Sequence, residues 1–340
     1  MELLRTDSLK KFFGVGKAFA SDSGMLKAVD GVNFSIRKDG VFALVGESGC
    51  GKSTVARLVL RLIEPTAGSV LFKGQNIFTL KGPEIKMFRK SVQIIFQDPF
   101  ASLNPRRTVY DTISEPLVIH RLVPRLKMKD AVVDIIGQVG LGPETLDRYP
   151  HEFSGGQRQR ICIARALAVS PEIIVADEPL SALDVSIQAQ IINLLIELKK
   201  KTKISFLFIS HDLRVVHYFS DEVGVMYLGK IVEQAKTEEF FEKPFHPYSE
   251  VLLASAPRIR PEGAKRAERA LLKGEVPSPI HIPPGCPFHP RCPKRFEPCD
   301  RVVPELRESQ GRLVSCHLWN PYEQRRDGLL ESHDTILLTP

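Results

Sequence analysis

The chain has 340 residues, 43% of them hydrophobic, and its 47 lysines and arginines against 40 aspartates and glutamates give a formal net charge of +7. This length exceeds one average domain and the apolar content is ample for a core, but no apolar run approaches the roughly 18 residues needed to cross a bilayer. The positive charge permits an anionic partner such as nucleic acid or a lipid surface, yet Lys and Arg are scattered, with only short clusters such as Lys199–Lys201, and read as a solvated basic surface.

The N-terminus, MELLRTDSLKKFF, carries no apolar stretch with a cleavage site, so the chain is expected to be unsecreted and cytosolic. Residues 7–45 predict an antiparallel subdomain. Leu9–Phe13 forms one strand and a Gly-containing loop runs through Gly24. Ala28–Ile36 forms the next, with Val32, Phe34 and Ile36 alternating. Val41–Val45 is short and apolar enough to be a buried strand, and the glycines after it stop it. Gly46, Gly49 and Gly51 with Lys52 and Ser53 fill every fixed position of G-x-x-x-x-G-K-[ST], a phosphate-binding loop. Such glycines let backbone N–H groups turn toward phosphate oxygens, and the helix starting near Lys52 adds its positive end. The residues expected around the nucleotide are Gly46, Glu47, Ser48, Gly49, Cys50, Gly51, Lys52, Ser53 and Thr54. Within this set Lys52 reaches the β- and γ-phosphates, Ser53 ligates Mg²⁺, and Cys50 is a small filler.

Downstream, GSVLFKGQNI reads as a strand and turn, and SVQIIFQDP as a buried strand that delivers Gln97 to a sheet edge. From Arg106 to Tyr149 the character changes to helical spacing, as in Ala131, Ile135 and Val139, and predicts a helical subdomain. In HEFSGGQRQRICIARALAV, Ser154 is an N-cap candidate, Gly155 and Gly156 permit close approach to a ligand, and Gln157–Val169 is helical. Glu172–Ala176 is a buried strand with Asp177 and Glu178 at its C-terminal end, where open α/β sheets bind ligands. Ile187–Leu198 is an amphipathic helix. Ile204–Ile209 is a buried strand ending in Ser210, His211 and Asp212. The alternation predicts an α/β fold with a mostly parallel sheet. Beyond about Phe245 the chain becomes Pro-rich and is expected to hold few regular elements. Four of the six cysteines, Cys286, Cys292, Cys299 and Cys316, lie there at C-x5-C-x6-C-x16-C. A disulfide framework does not suit a reducing cytosol, so a metal or cluster site is the reading, with free thiols as the plain alternative.

GESGCGKST, the strand-end Gln97, FSGGQ, IIVADEP, SALD at Ser181–Asp184 and His211 occur in the order found in ATP-binding subunits of ABC transporters, and residues 7–240 resemble that family. HPYSEVLL followed by the cysteine tail resembles more narrowly the ATPase subunits of dipeptide/oligopeptide importers, whose relatives also carry nickel or oligosaccharides. The resemblance implies a P-loop NTPase of ABC type with an antiparallel β subdomain, a helical subdomain at about 106–165 and a Pro/Cys-rich C-terminal extension. The ATPase domain would cover 1–245 and the extension 246–340.

By resemblance, Glu178 polarises the attacking water, Asp177 and Gln97 act through Mg²⁺ and His211 contacts the γ-phosphate. Phe13 stacks on adenine, with Phe12 as its rival. Ser154, Gly155, Gly156 and Gln157 close over the nucleotide of a second ATPase subunit, with Asp184 at the contact; the pairing favoured is with a similar, non-identical chain. The tail implies a [4Fe–4S] cluster on the four cysteines. Zinc is the alternative, with His289 or His317 as a further ligand, although CxxC knuckles are absent. The expected function is hydrolysis of ATP to drive an importer, peripheral on the cytoplasmic face of two membrane-spanning permease subunits and served by a solute-binding protein. Nucleic-acid-acting relatives fit less well. Lys52 and Ser154 are only 102 residues apart, too close for an intervening long coiled coil, and the cysteines follow a single core instead of preceding two.

Overall fold

The computed structural model describes residues 1–15, 24–255 and 277–319. The chain opens with two long strands, β1 (Glu2–Val15) and β2 (Gly24–Arg37), paired antiparallel with Leu9 opposite Val32. The predicted strands lie inside them, while most of the loop expected before Gly24 lies outside the described residues. Next come β3 (Val41–Val45), buried along its whole length, and the helix α1 (Lys52–Val59). Then follow β4 (Ala67–Phe72), β5 (Gln75–Asn76), α2 (Pro83–Ser91), β6 (Val92–Ile95) and the single turn α3 (Pro99–Ser102). The predicted helical subdomain is α4 (Val109–Ile119) and α5 (Met128–Gln138), continued by α6 (Gly155–Leu167). In α5 the buried face is Met128, Val132 and Ile136, one residue round from the expected Ala131 and Ile135, which flank it.

The second half alternates as read: β7 (Ile173–Asp177), α7 (Val185–Thr202), β8 (Ser205–Ile209) and α8 (Leu213–Phe219). The sequence reading had not separated β9 (Glu222–Tyr227) and β10 (Lys230–Lys236), which come next. The chain continues through α9 (Thr237–Glu242), α10 (Pro247–Ser255), β11 (Arg307–Ser309) and β12 (Arg312–Val314).

Two sheets result. β2, β1, β4 and β5 make a four-stranded antiparallel sheet, and eight strands in the order β11-β12-β10-β9-β3-β8-β7-β6 make the central one. Its parallel part runs from β9 to β6; β10, β12 and β11 extend it antiparallel. The Pro-rich tail therefore is less irregular than expected, because it borrows the edge of β10, with Glu233 opposite Val314. The period-two alternation of strands sorts residues between two cores. Val41, Ala43, Val45, Phe206 and Phe208 face the helices α4–α8; Phe42, Leu44, Leu207 and Ile209 face α1 and the small sheet. Phe34 stacks on Phe42 with centroids 4.7 Å apart, which adds about 1 kcal/mol beyond burial.

The extension is anchored through β10. Glu233, fully buried, accepts the N–H groups of Phe245 and His246, each at 2.8 Å. His246 in turn accepts the Tyr248 N–H on Nδ1 at 3.0 Å. Burial lowers its pKa from 6.5 to about 3, opposed only by a hydrogen bond with the Ser315 backbone. The folded state thus keeps His246 neutral, whereas the unfolded chain takes up a proton below 6.5. Stability from this group is present above pH 6.5 and falls as pH drops toward 3, by up to about 1.4 kcal/mol per pH unit. His246→Asn, whose Oδ1 can accept the same N–H, is expected to show a flatter decline of the thermal midpoint between pH 6.5 and 5. Parallel profiles for the two proteins would remove His246 as the cause.

Candidate nucleotide-binding site

β3 ends at Val45 and the chain turns through the phosphate loop into α1. Gly46 and Gly51 sit at φ of 151° and 110°, and a Cβ at either would strike backbone carbonyls, those of Met226 and Ala28 respectively. These two glycines are therefore required by the approach of β9 and β2 as much as by any ligand. Lys52, 4% exposed, donates from Nζ to the carbonyls of Gly46 at 2.8 Å and Glu47 at 3.0 Å. Beside the loop lies a cleft of about 270 Å³ lined by Phe13, Ser48 to Thr54, Gln97, Glu178, Leu228 and Pro279. Phe13 is in this lining and Phe12 is not. Cys50 is buried within the loop, and burial pushes its thiol up.

The strand ends bring the other polar groups together. Ser53 Oγ donates to Asp177 Oδ1 at 3.1 Å across α1 and β7. Burial, ahead of every other cause, raises the Asp177 carboxyl, and the neighbouring Glu178 charge adds to this. A divalent cation beside Ser53 and Asp177 would offset both effects, so this oxygen set fits Mg²⁺. Glu178 adopts φ 47°, its N–H held by the Ile209 carbonyl at 3.0 Å, and this swings its carboxylate out of the strand direction. Its Oε2 then meets Gln97 Nε2 at 3.2 Å and His211 Nδ1 at 3.2 Å. Gln97 lies two residues beyond β6, not at its last position. Gly46, Glu47 and His211 line an adjoining hollow, not the cleft itself.

Ser154 caps α6: its hydroxyl accepts from the Gln157 N–H at 3.3 Å while Gln157 Oε1 accepts from the Ser154 N–H at 3.0 Å. None of Ser154, Gly155, Gly156 or Gln157 lines the cleft, and Ser154 is exposed. Gly156 has a packing reason of its own, since a Cβ there would collide with Ile187 of α7. Asp184 stands exposed ahead of α7, next to Val185, which is 74% exposed.

Of the four tail cysteines, Cys286, Cys299 and Cys316 are buried and Cys292 is half-buried, all as free thiols. Burial pushes Cys286 up to about 12 and Cys316 to about 11, and in each case the other thiols push further. Among the described residues, however, no three His, Cys, Asp or Glu side chains converge as the ligands of a metal ion do. The expected cluster or zinc ion thus finds no preformed ligand group. The histidines weighed as zinc ligands each have a ring nitrogen engaged by a backbone carbonyl, His289 by Cys286 at 3.0 Å and His317 by Val302 at 2.9 Å.

The tail reaches the site in a way the sequence reading missed. Tyr248 Oη accepts the Glu47 N–H at 2.9 Å, and Arg291 grips the Glu47 carboxylate at 2.8 and 3.0 Å. Glu47, expected beside the nucleotide, therefore has its side chain committed to Arg291. HPY is a visible string, but nothing in the spacing of Arg291 marks it.

Residues 29–181 match the family model described as ABC transporter, and residues 232–299 the one described as oligopeptide/dipeptide transporter, C-terminal region. The chain is 50% identical over 321 residues to the oligopeptide transport ATP-binding protein AppF of Bacillus subtilis (strain 168), covering 94% of this chain and 98% of AppF. It is 45% identical over 314 residues to the dipeptide transport ATP-binding protein DppF of Escherichia coli (strain K12), covering 92% of this chain and 93% of DppF. Among solved structures, the dimeric ATP-binding cassette MJ0796 bound to ADP and Pi superposes with a TM-score of 0.61 at 26% identity, covering 69% of this chain and 98% of MJ0796. No described helix is long and apolar enough to cross a membrane.

Proposed function

The chain belongs to the ATP-binding subunits of ABC transporters, in the oligopeptide/dipeptide group, and from that premise we propose that it hydrolyses MgATP to drive uptake of di- or oligopeptides. The observation that carries the reading is the convergence of Lys52, Ser53, Glu178 and Gln97 on one cleft, with Asp177 hydrogen-bonded to Ser53, in a chain whose relatives are peptide-transport ATP-binding proteins along nearly their whole length. Ser53, Asp177 and Gln97 would hold Mg²⁺, which neutralises phosphate charge as the bond breaks. Lys52 releases its two backbone carbonyls to meet the β- and γ-phosphates, Phe13 offers its ring to the base, and Glu178 takes the proton of the attacking water while Gln97 and His211 fix its carboxylate. The described parts suit an ATPase domain up to about residue 245 with an extension after it.

A peripheral position on two permease subunits at the cytoplasmic face, beside a second ATPase and with a solute-binding protein upstream, follows from the group. Import by the assembled complex in proteoliposomes tests the cargo: ATP-dependent uptake of peptides is expected. Uptake of oligosaccharide or nickel in place of peptide would move the chain to the runner-up cargo.

For the four cysteines the finer reading is a [4Fe–4S] cluster, which rests on the resemblance of the tail and on four cysteines within 31 residues, since no preformed ligand group is present among the described residues. Buried thiols such as Cys286, Cys299 and Cys316 are costly to ionise without a positively charged partner. Anaerobic purification is expected to give a brown protein with near-equal iron and acid-labile sulfide. A colourless protein containing zinc, or no metal, would end the cluster reading.

A further inference from the structure

The extension touches the phosphate loop at one residue from two directions. Tyr248, fully buried at the start of α10, takes the Glu47 N–H, and Arg291, whose side chain is 5% exposed, holds the Glu47 carboxylate with both terminal nitrogens. Arg291 belongs to a short helical turn, His289–Arg291, that lies in sequence between Cys286 and Cys292. The turn is fixed by Phe288, which packs its ring against Tyr227 and Tyr248 with centroids 5.3 Å away in each case. Arg291 also reaches the Tyr227 hydroxyl at 3.5 Å. The Glu47 carbonyl is meanwhile one of the two backbone acceptors of Lys52. Glu47 thus links the catalytic lysine, on its backbone, to the cysteine region, on its side chain.

A carboxylate at this place is a liability for an anion site. Left alone it would repel the incoming triphosphate. A planar guanidinium matched to both carboxylate oxygens both neutralises it and fixes its direction away from the cleft, a task for which a lysine lacks the fork. We infer that Arg291 is a positioning residue for the phosphate loop, and that through the Arg291–Glu47 pair the C-terminal cysteine region sets the chain's affinity for ATP. The residue acts on the loop and not on the reacting atoms, so its removal shows in KM and nucleotide affinity before kcat.

The inference rests on the nucleotide-binding reading above. ATP binding by the unaltered full-length chain tests that reading, and only differences among variants test this one. The measurement is displacement of a fluorescent ATP analogue by ATP, with ATPase KM and kcat, for Arg291→Gln, Arg291→Lys, Glu47→Gln and the double variant Glu47→Gln/Arg291→Gln. Arg291→Gln is expected to weaken ATP binding about tenfold and raise KM likewise, with kcat within about twofold. Arg291→Lys should recover part of the loss. The double variant should be no worse than Arg291→Gln alone, because the two changes break one pair. ATP affinity within twofold of the unaltered protein in Arg291→Gln, or losses that add in the double variant, would overturn the inference. Should Arg291→Gln fail to fold, Arg291→Lys, which keeps the charge but loses the fork, carries the test, and unchanged ATP affinity and KM in that variant would overturn it equally.

Discussion

Glu178→Gln is expected to cut hydrolysis at the site it belongs to by roughly 10²-fold or more while MgATP binding is retained. The amide keeps the size and one oxygen of the carboxylate, so Gln97 and the backbone bond that holds φ at 47° retain their partners. What is lost is the negative charge and the ability to take a proton. Asp177 is unaffected as a cation ligand, and the departure of a neighbouring charge removes one of the causes that raise its carboxyl. Binding of MgATP should accordingly be as tight as before or tighter. Single-turnover hydrolysis and equilibrium ATP binding on the same preparation make the separation. Turnover at the unaltered rate would remove Glu178 as the base, and an equal loss of binding and turnover would make it a structural residue of the site.

The site shows which kinds of information a sequence carries in the open. The phosphate loop, Asp177, Glu178 and His211 were readable because each closes or follows a short buried strand, and strand ends in a parallel sheet share one edge; β3, β7 and β8 deliver them side by side. Gln97 was legible by the same rule, although the strand stops two residues earlier. What could not be read depends on pairing between segments far apart. β12 is too short to show alternation and exists because β10 offers an open edge. Arg291 looks like any other cation in a Pro-rich stretch until folding places it against Glu47, 244 positions away. Gly156 was read as making room for a ligand, but Ile187 on α7 already requires a glycine there. The cysteines illustrate the converse problem. Their types suggested a metal centre, whereas ligation depends on thiol directions that the loose spacing does not dictate.

Ser154→Arg is expected to leave ATP binding by the isolated chain within about twofold, yet to lower hydrolysis in the assembled pair by roughly 10²-fold at one site. The reasoning starts from an exposed cap. Ser154 and the first turn of α6 do not line the chain's own cleft, and a helix start is a natural seat for phosphate charge. Under the proposed pairing with a second ATPase, half of an ATP site would therefore be on offer to that subunit. An arginine at this position would lose the hydroxyl and fill the closing gap with a long side chain. If the donors serve the opposite cleft, as proposed, Ser154→Arg and Glu178→Gln should strike different sites of the same pair. In a pair with a non-identical partner ATPase each change in this chain alone should leave one site turning over, and the two together should silence both. Loss of ATP affinity in the isolated chain carrying Ser154→Arg would instead place these donors on the chain's own nucleotide and rule out the shared site.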